Sequence, residues 1–253
     1  MGLDLYAGGL ARYHTGEWEC EAQRICREAG LTLKITYDHG SPKRLSKMTA
    51  PLFVFLWRRR VLKRHAHLIK QGLSWSEAWS APYFARKPDH DGRRALILAA
   101  AYAEHPDLTT PSNLPETGES DPAYVAASQN YLQSIVSILE CHMFLPSTEN
   151  FLIAGQDSVG TKRFITSTAN LASALGTVND AHWRADEPQI AAWNKRGAPT
   201  RKVMTVDAGR IVHEEDIQPP ENPFEHAAQF AFAIYSDALN FSRTHDVPIV
   251  TDE

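Results

Sequence analysis

The spacing of the apolar residues changes along this 253-residue chain, and that change limits its fold class more than any other feature. Two long stretches, 51–71 and 222–244, place apolar residues three or four positions apart, as a half-buried helix does. Between them, residues 142–145, 151–154 and 161–166 follow a period of two, which is typical of strands. The sequence therefore predicts an α+β fold with a mixed, mostly antiparallel sheet flanked by several helices.

The last of these stretches has the clearest signals for a helix start. Asn222 is suited to the N-cap, Pro223 to the first helical position, and Glu225 to the capping position inside the first turn. We predict a long C-terminal helix that runs to Thr244. Pro248 then ends the regular structure before a short apolar tail.

Turn residues and caps divide the rest of the chain into short elements. The predicted strands are 2–13 (broken by Gly8-Gly9), 31–37 and a hairpin of 203–206 with 210–213. The other predicted helices are 15–30, 74–77, 96–103, 122–140, 169–175 and 188–195. The Pro-rich segment 105–121 is interpreted as an internal loop or linker within a single domain, 1–253.

Charge is divided unevenly along the chain. Residues 1–100 contain 17 Lys and Arg against 9 Asp and Glu, a net +8, whereas residues 101–253 contain 9 against 21, a net −12. A segregated pattern attracts partners of opposite charge. The alternative is that the two parts pack together and cancel each other's field, since neighbouring surface charges neutralise one another.

The helix predicted at 51–71 carries much of the positive charge. Val54, Trp57 and Val61 form its apolar stripe, and cations crowd another side. Such a basic face can contact nucleic-acid phosphates, although the chain is acidic overall and has no standard nucleic-acid motif. A solvated face is the alternative. The candidate basic face consists of Arg58, Arg59, Lys63 and Arg64.

An aromatic and charged segment, residues 75–92, is the main candidate for a binding site, and we call it the aromatic loop. Aromatic and Arg side chains dominate interface energetics and line ligand clefts. The alternative is that its rings fill the edge of the core. Its candidate binding residues are Trp75, Trp79, Tyr83, Phe84, Arg86, Lys87, Asp89 and Asp91.

No assembled catalytic motif is present in the sequence. Residues 155–162 approach a phosphate-binding loop, but the final Thr and Lys are in the reverse order and a strand is predicted to follow. His182, His213, Glu214 and Asp216 have side chains suited to metal or acid–base chemistry, so an enzyme with a dispersed site stays an alternative. We predict no catalytic residues, no metal and no cofactor.

The sequence predicts a cytoplasmic protein without a membrane partner. Its first residues lack the basic and apolar regions of a secretory signal. No stretch reaches the about 20 apolar residues of a membrane span. Three cysteines, Cys20, Cys26 and Cys141, are an odd number that fits a reducing compartment. The oligomeric state is not determined.

Several segments resemble a family of uncharacterised bacterial proteins. The similar segments are Met-Gly-Leu-Asp-Leu-Tyr at 1–6, Ala-Pro-Tyr-Phe at 81–84, Lys87-Pro88, Asp91-Gly92, Ala-Tyr-Ala-Glu-His-Pro at 101–106 and Val-Pro-Ile-Val-Thr-Asp at 247–252. Arg93 departs from the family pattern, in which an aromatic residue is expected. The resemblance spans most of the chain and implies a single domain, but it implies no activity and no site residues.

These observations favour a bacterial binding protein that acts by stoichiometric association with a protein partner. A toxin-neutralising immunity protein is its most concrete form. The alternatives are a small-molecule hydrolase or metal-dependent enzyme with a dispersed site, and a nucleic-acid-associated factor that uses the basic helix at 58–70. The binding hypothesis requires the aromatic side chains of the loop to be exposed.

Overall fold

The computed structural model describes residues 3–31, 44–199 and 220–252, together with the strand backbones at 202–207 and 210–216. Within these ranges the strands are β1 (Asp4–Ala7), β2 (Phe84–Arg86), β3 (Met143–Leu145), β4 (Leu152–Gln156), β5 (Lys162–Ser167), β6 (Lys202–Asp207), β7 (Arg210–Asp216) and β8 (Ile249–Asp252). The helices are α1 (Leu10–Thr15), α2 (Glu21–Glu28), α3 (Ala50–Arg64), α4 (His90–Glu104), α5 (Pro122–Ser128), α6 (Ile135–Leu139), α7 (Thr168–His182), α8 (Glu187–Arg196) and α9 (Pro223–His245).

Six strands form one sheet in the order β2-β1-β8-β3-β5-β4. Only β3 and β5 run parallel, and every other neighbouring pair is antiparallel. One register row crosses five strands, because Tyr6 is opposite Val250, Val250 opposite Met143, Met143 opposite Ile165, and Ile165 opposite Ile153. The predicted α+β class with a mixed, mostly antiparallel sheet is confirmed.

Side chains alternate between the two faces of this sheet, so each face supports its own core. The register row from Tyr6 to Ile153 packs under α1 and α3 through Leu10, Val54 and Trp57. On the opposite face, α4, α6, α7 and α9 form the larger core around Phe144. The site described below lies on the face that carries α3.

The predicted long C-terminal helix is also confirmed. The Asn222 side chain accepts a hydrogen bond from the Glu225 N–H at 3.0 Å, and Pro223 begins the helix. The buried residues of α9 include Phe230, Ile234 and Leu239, which pack in the larger core. Local capping chemistry determines where α9 begins, which is why the sequence predicted it correctly.

The prediction that regular structure ends at Pro248 is wrong. Residues Ile249–Asp252 form β8, which lies between β1 and β3 in the middle of the sheet. Its first three residues are fully buried. The partners of β8 lie more than a hundred residues away in sequence, so no local signal distinguishes this strand from a tail.

Other boundaries also differ from the predicted ones. Of the strand predicted at 2–13, residues Asp4–Ala7 form β1, and Leu10–Thr15 form the helix α1 instead. The helix predicted at 15–30 is the shorter α2, and α3 ends at Arg64 rather than Gln71. The helix predicted at 122–140 is interrupted because Ser134 caps a new helix, α6, while the Glu104 carboxylate accepts hydrogen bonds from Ser134 Oγ at 2.5 Å and from Ile135 N at 2.9 Å. Residues 74–77 form no helix.

The predicted hairpin near 203–213 is confirmed as β6 and β7, which pair with each other and carry a bulge between Thr205 and Val206. Residues 106–121 contain neither helix nor strand. The strand predicted at 31–37 lies outside the described residues apart from Leu31. The single-domain assignment stays a prediction. None of the helices in the part of the chain that the structure describes is long and apolar enough to cross a membrane.

Candidate binding surface

Trp75, the first residue of the aromatic loop, is buried and has internal partners. It is only 7% exposed. The Arg58 guanidinium lies 4.7 Å from its ring centroid and donates to the Trp75 carbonyl at 3.1 Å. The indole Nε1 donates to the Glu77 carboxylate. Trp75 therefore holds α3 against the loop, and its ring is not available to a partner.

Tyr83 and Arg86 connect the loop to neighbouring elements. The Tyr83 hydroxyl accepts a hydrogen bond from Glu19 N at 3.2 Å, and the Arg12 guanidinium lies 4.9 Å from the Tyr83 ring. Arg86 in β2 pairs with Glu21 of α2 at 2.7 Å. Both side chains are half-buried, and their main contacts are within this chain.

The remaining candidate residues of the loop, except Trp79, lie in β2 or near the start of α4 and make contacts there. Phe84 packs against the larger core from β2. The Lys87 backbone N–H donates to a carboxylate of α2 at 2.7 Å. Asp89 caps α4, and Asp91 forms an ion pair with Arg94 at 2.8 Å.

Trp79 is the loop aromatic that reaches solvent most, at 36% exposure. The Lys47 ammonium lies 5.9 Å from its ring centroid. Because most of the eight candidate residues have partners within this chain, the loop presents one exposed aromatic ring rather than a continuous surface.

The carboxylate of Glu77 connects the aromatic loop to α1. Glu77 Oε2 accepts the Ala11 N–H at 2.7 Å, in the first turn of α1. Gly9 permits this approach, because a Cβ there would lie 2.9 Å from the same oxygen. Burial raises the pKa of Glu77, and these hydrogen bonds lower it in part. Glu77 is thus a distant N-terminal cap for α1.

We expect Glu77→Ala to lower the free energy of unfolding by about 2 kcal/mol, because the Ala11 and Trp75 donors lose their acceptor in a poorly solvated place. Urea denaturation at pH 7 measures this. Glu17→Ala is the matched control, because Glu17 is 46% exposed and pairs with Lys47, also at the surface. Its effect should stay below about 1 kcal/mol. Equal effects of the two substitutions would contradict the capping role.

The candidate basic face is divided by the packing of α3. Arg58 is drawn to the Trp75 ring, whereas Arg59, Lys63 and Arg64 are exposed. Buried side chains of α3 follow helical spacing at Ala50, Val54, Trp57 and Val61. Eight of the fifteen residues of α3 are exposed, at positions 52, 53, 55, 56, 59, 60, 63 and 64.

The exposed part of α3 has two sides, each with two apolar residues followed by two cations. This order follows from the 100° rotation per residue. We call the first the outer side, and it consists of Leu52, Phe55, Arg59 and Lys63. We call the second the groove side, and it consists of Phe53, Leu56, Arg60 and Arg64. The four apolar side chains are 47–57% exposed.

A groove of about 700 Å³ lies between the groove side of α3 and the hairpin of β4 and β5. Buried apolar side chains, among them Trp57, Ile153 and Ile165, line its base. Trp57 Nε1 donates to the Gln156 carbonyl at 2.5 Å, which ties α3 to the end of β4. The groove is therefore built from one helix and the two strands at one edge of the sheet.

The charge along the groove is mainly positive. Its cationic lining residues are Arg60, Arg64, Lys162 and Arg163, and its carboxylate is Asp157. Asp157 is buried, pairs with Arg163 at 3.4 Å and accepts backbone N–H groups of its own turn. Within 3–31, 44–199 and 220–252, no carboxylate lies within ion-pair distance of Arg60, Arg64 or Lys162.

His14 in α1 is buried close to this region. It is 5% exposed, and its Nε2 has no hydrogen-bond partner among the described residues. Burial lowers the pKa of His14 to about 4, with the Asp157 charge opposing this and the Arg163 charge adding to it. The ring is therefore neutral at pH 7.

The pKa of Asp4, in β1, is raised, whereas that of His14 is lowered. Burial raises the pKa of Asp4 to about 6, and the neighbouring carboxylate of Asp252 adds to the rise. The two residues face each other across β1 and β8. Asp252 in turn accepts a hydrogen bond from the Tyr13 hydroxyl at 2.6 Å.

The residues of the dispersed-site alternative are not brought together by any described contact. A ring nitrogen of His182 lies 2.7 Å from the Ala99 carbonyl oxygen. His213, Glu214 and Asp216 lie on β7, whose side chains are outside the described residues. Among the described residues, no group of three or more His, Cys, Asp or Glu side chains is placed to hold a metal ion.

Sequence reasoning missed the outer side and the groove. The signal was present, because apolar residues at 52, 53, 55 and 56 surround the first half of α3, more than one buried stripe requires. The groove itself has no sequence signal, since its walls are about a hundred residues apart in the chain.

The fold and the site define an α+β protein that carries an amphipathic exposed helix beside a cation-lined apolar groove. No protein-family model, curated protein or solved structure matches the chain.

Proposed function

We propose that this chain is a cytoplasmic bacterial binding protein that associates stoichiometrically with a protein partner through the outer side of α3. The observation that carries the proposal is the exposure of Leu52 and Phe55 next to Arg59 and Lys63 on one helix surface. Met48, just before the helix, is also an exposed apolar residue, at 94%.

Large apolar side chains that lie together at a surface mark interaction sites more often than single ones do. Leu52 and Phe55 are three residues apart on a helix and therefore neighbours on its surface. Phe and Arg, which lie together here as Phe55 and Arg59, are both enriched at protein interfaces. The outer side of α3 thus supplies both the apolar contact and the charges that orient a partner.

The cations determine the kind of partner. Arg59 and Lys63 are exposed, and Arg59 continues the line of Leu52 and Phe55 along the helix. We propose a partner surface with an apolar recess bordered by carboxylates, which such cations attract and orient. A nucleic acid would satisfy the cations but leave the apolar half of the helix in water. A toxin-neutralising immunity protein is one form of this proposal, and its toxin would need that acidic border.

The experiment is native mass spectrometry of the tagged protein isolated at its endogenous level, with two matched variants. Leu52→Ser with Phe55→Ser alters the outer side, and Phe53→Ser with Leu56→Ser alters the groove side of the same helix. We expect a companion protein in a fixed ratio with wild type and with the groove-side variant. The outer-side variant should lose it, because removing two anchors weakens binding by about 100-fold.

Binding of the purified companion should also weaken as salt rises from 50 to 500 mM, about tenfold or more, because surface charges orient the encounter. Isolation of a lone chain, a companion retained equally by both variants, or release of nucleic acid would each contradict the proposal. Circular dichroism of the two variants is the check that each one keeps its fold.

A further inference from the structure

We infer that the groove between α3 and the β4–β5 hairpin binds a small amphipathic anion, an apolar chain that ends in one carboxylate or phosphate group. This inference does not depend on the protein partner, because it concerns the groove side of α3 and not the outer side. It assigns a small-molecule site to the edge of the sheet.

The size and lining of the groove suit an apolar chain. Its volume of about 700 Å³ lies within the range of small-molecule sites. Trp57, Ile153 and Ile165 line the base, while Phe53 and Leu56 stand half-exposed at the entrance. Half-exposed aromatic and aliphatic side chains gain burial when a chain covers them. The ligand would therefore lie along α3, over the edge of the sheet.

Gly155 leaves the space that such a chain needs. It lies two residues after Ile153 in β4 and thus on the same face of the sheet, opposite Arg163. A Cβ at this position would have one neighbour, Ile165 Cδ1, at 3.8 Å, so a side chain there would extend into the open groove. Gly155 therefore offers a way to fill the groove without straining the strand.

The charged group of the ligand is placed by the arginines. Arg60 and Arg64 are one helical turn apart on the groove side, and both line the groove. Neither has a carboxylate partner within the residues that the structure describes. Two neighbouring guanidinium groups suit the planar oxygens of a carboxylate or those of a phosphate. A neutral ligand would leave the positive charges of Arg60 and Arg64 without an anionic partner.

The test is isothermal titration calorimetry with dodecanoate, monododecyl phosphate and dodecanol, each below the concentration at which it forms micelles. We expect at least one of the two anions to bind in a 1:1 ratio, about tenfold or more tighter than dodecanol, because charged hydrogen bonds form only with the anions. Equal binding of dodecanol, or no binding by either anion, would overturn the inference. Binding only to phosphatidylglycerol vesicles would also overturn it, since that marks a membrane surface.

Two variants locate the ligand. Arg60→Gln with Arg64→Gln should weaken binding of the anion about tenfold or more, and Gly155→Leu should abolish it by filling the groove. The matched control is Arg59→Gln with Lys63→Gln, which removes two charges from the outer side of the same helix. Its affinity should stay within about twofold of wild type, because exposed charges a helix width away are largely screened.

Each variant is first checked by thermal unfolding. If Gly155→Leu proves unfolded, the two double variants decide the result. Equal loss of anion affinity in both double variants would mean non-specific attraction to a basic helix, and it would overturn the proposed site. The protein-partner experiment fails or succeeds separately, since it depends on Leu52 and Phe55 and not on Gly155 or Arg64.

Discussion

Truncation of the chain after Pro248 is expected to prevent folding, although it removes only five residues. The truncation deletes β8, which separates β1 from β3 in the middle of the six-stranded sheet. Ile249 packs in the larger core and Val250 in the core beneath α3, and both are fully buried. Both cores would therefore be opened at once.

The expected loss is close to the whole free energy of unfolding of an ordinary domain. Burial of a Val or Ile side chain contributes about 1.5–3 kcal/mol, and each internal hydrogen bond adds about 1 kcal/mol net. Strand β8 makes such bonds with β1 on one side and β3 on the other. The sum takes up most of the about 5–15 kcal/mol that stabilises an ordinary domain.

Far-ultraviolet circular dichroism and size-exclusion chromatography of the truncated protein measure this result. A point variant gives the same information on a smaller scale, because Ile249→Ala should cost about 2–5 kcal/mol in urea denaturation. Leu132→Ala is its matched control, since Leu132 is 74% exposed and should change stability by less than about 0.5 kcal/mol. A truncated chain that unfolds like wild type would show that β8 is not part of the stable sheet.

The second large effect concerns the pH dependence of stability. Two buried groups, His14 and Asp4, contribute to it with opposite signs, so that their contributions largely cancel in the wild-type protein. In the folded protein, burial lowers the pKa of His14 to about 4 from its ordinary value of 6.5. Between these pH values the unfolded chain binds the proton more readily. His14 alone would therefore make the protein less stable as the pH falls from 6.5 to 4, by about 3 kcal/mol in total.

Asp4 acts in the opposite direction over nearly the same range. Its pKa is raised to about 6 from 3.8, so the folded chain binds the proton more readily than the unfolded chain. Asp4 alone would make the protein more stable as the pH falls from 6 to 3.8. The gain is about 2 kcal/mol, less than the full value because the carboxyl group is partly solvated.

Single substitutions should therefore change the pH dependence in opposite directions. Asp4→Asn removes a buried charge, together with its repulsion from Asp252, and should raise stability at pH 7 by about 2 kcal/mol. Its stability should then fall more steeply than that of wild type as the pH falls to 4.5. The stability of His14→Gln should instead rise relative to that of wild type as the pH falls toward 4.5.

Urea denaturation at several pH values from 4.5 to 7.5 measures both changes against wild type. His67→Gln is the control, because His67 is exposed. The stability of this variant should change with pH as that of wild type does. If both the Asp4 and His14 variants also ran parallel to wild type, the two groups would not titrate as their burial requires. A change of the same sign in both would contradict the opposition between them.

The parts of the fold that could be predicted have local signals. Asn222, Pro223 and Glu225 specify the start of α9 by capping, and the turn before Thr161 joins β4 to β5 as the alternating pattern indicates. Where partners are distant, prediction failed. Strand β8 pairs with β1 at the opposite end of the chain, and the break before α6 depends on Glu104, about thirty residues earlier.

In the candidate site, too, the features with local signals could be predicted from the sequence, and those that depend on distant partners could not. The sequence alone determined that α3 is both apolar and basic, because its composition and helical spacing are local properties. Only the tertiary structure decided that Trp75, Glu77 and Arg58 are occupied with one another while Leu52 and Phe55 remain exposed. The reason is that one side of α3 packs on the sheet, and strand pairing far along the chain determines which side is covered and where a groove remains.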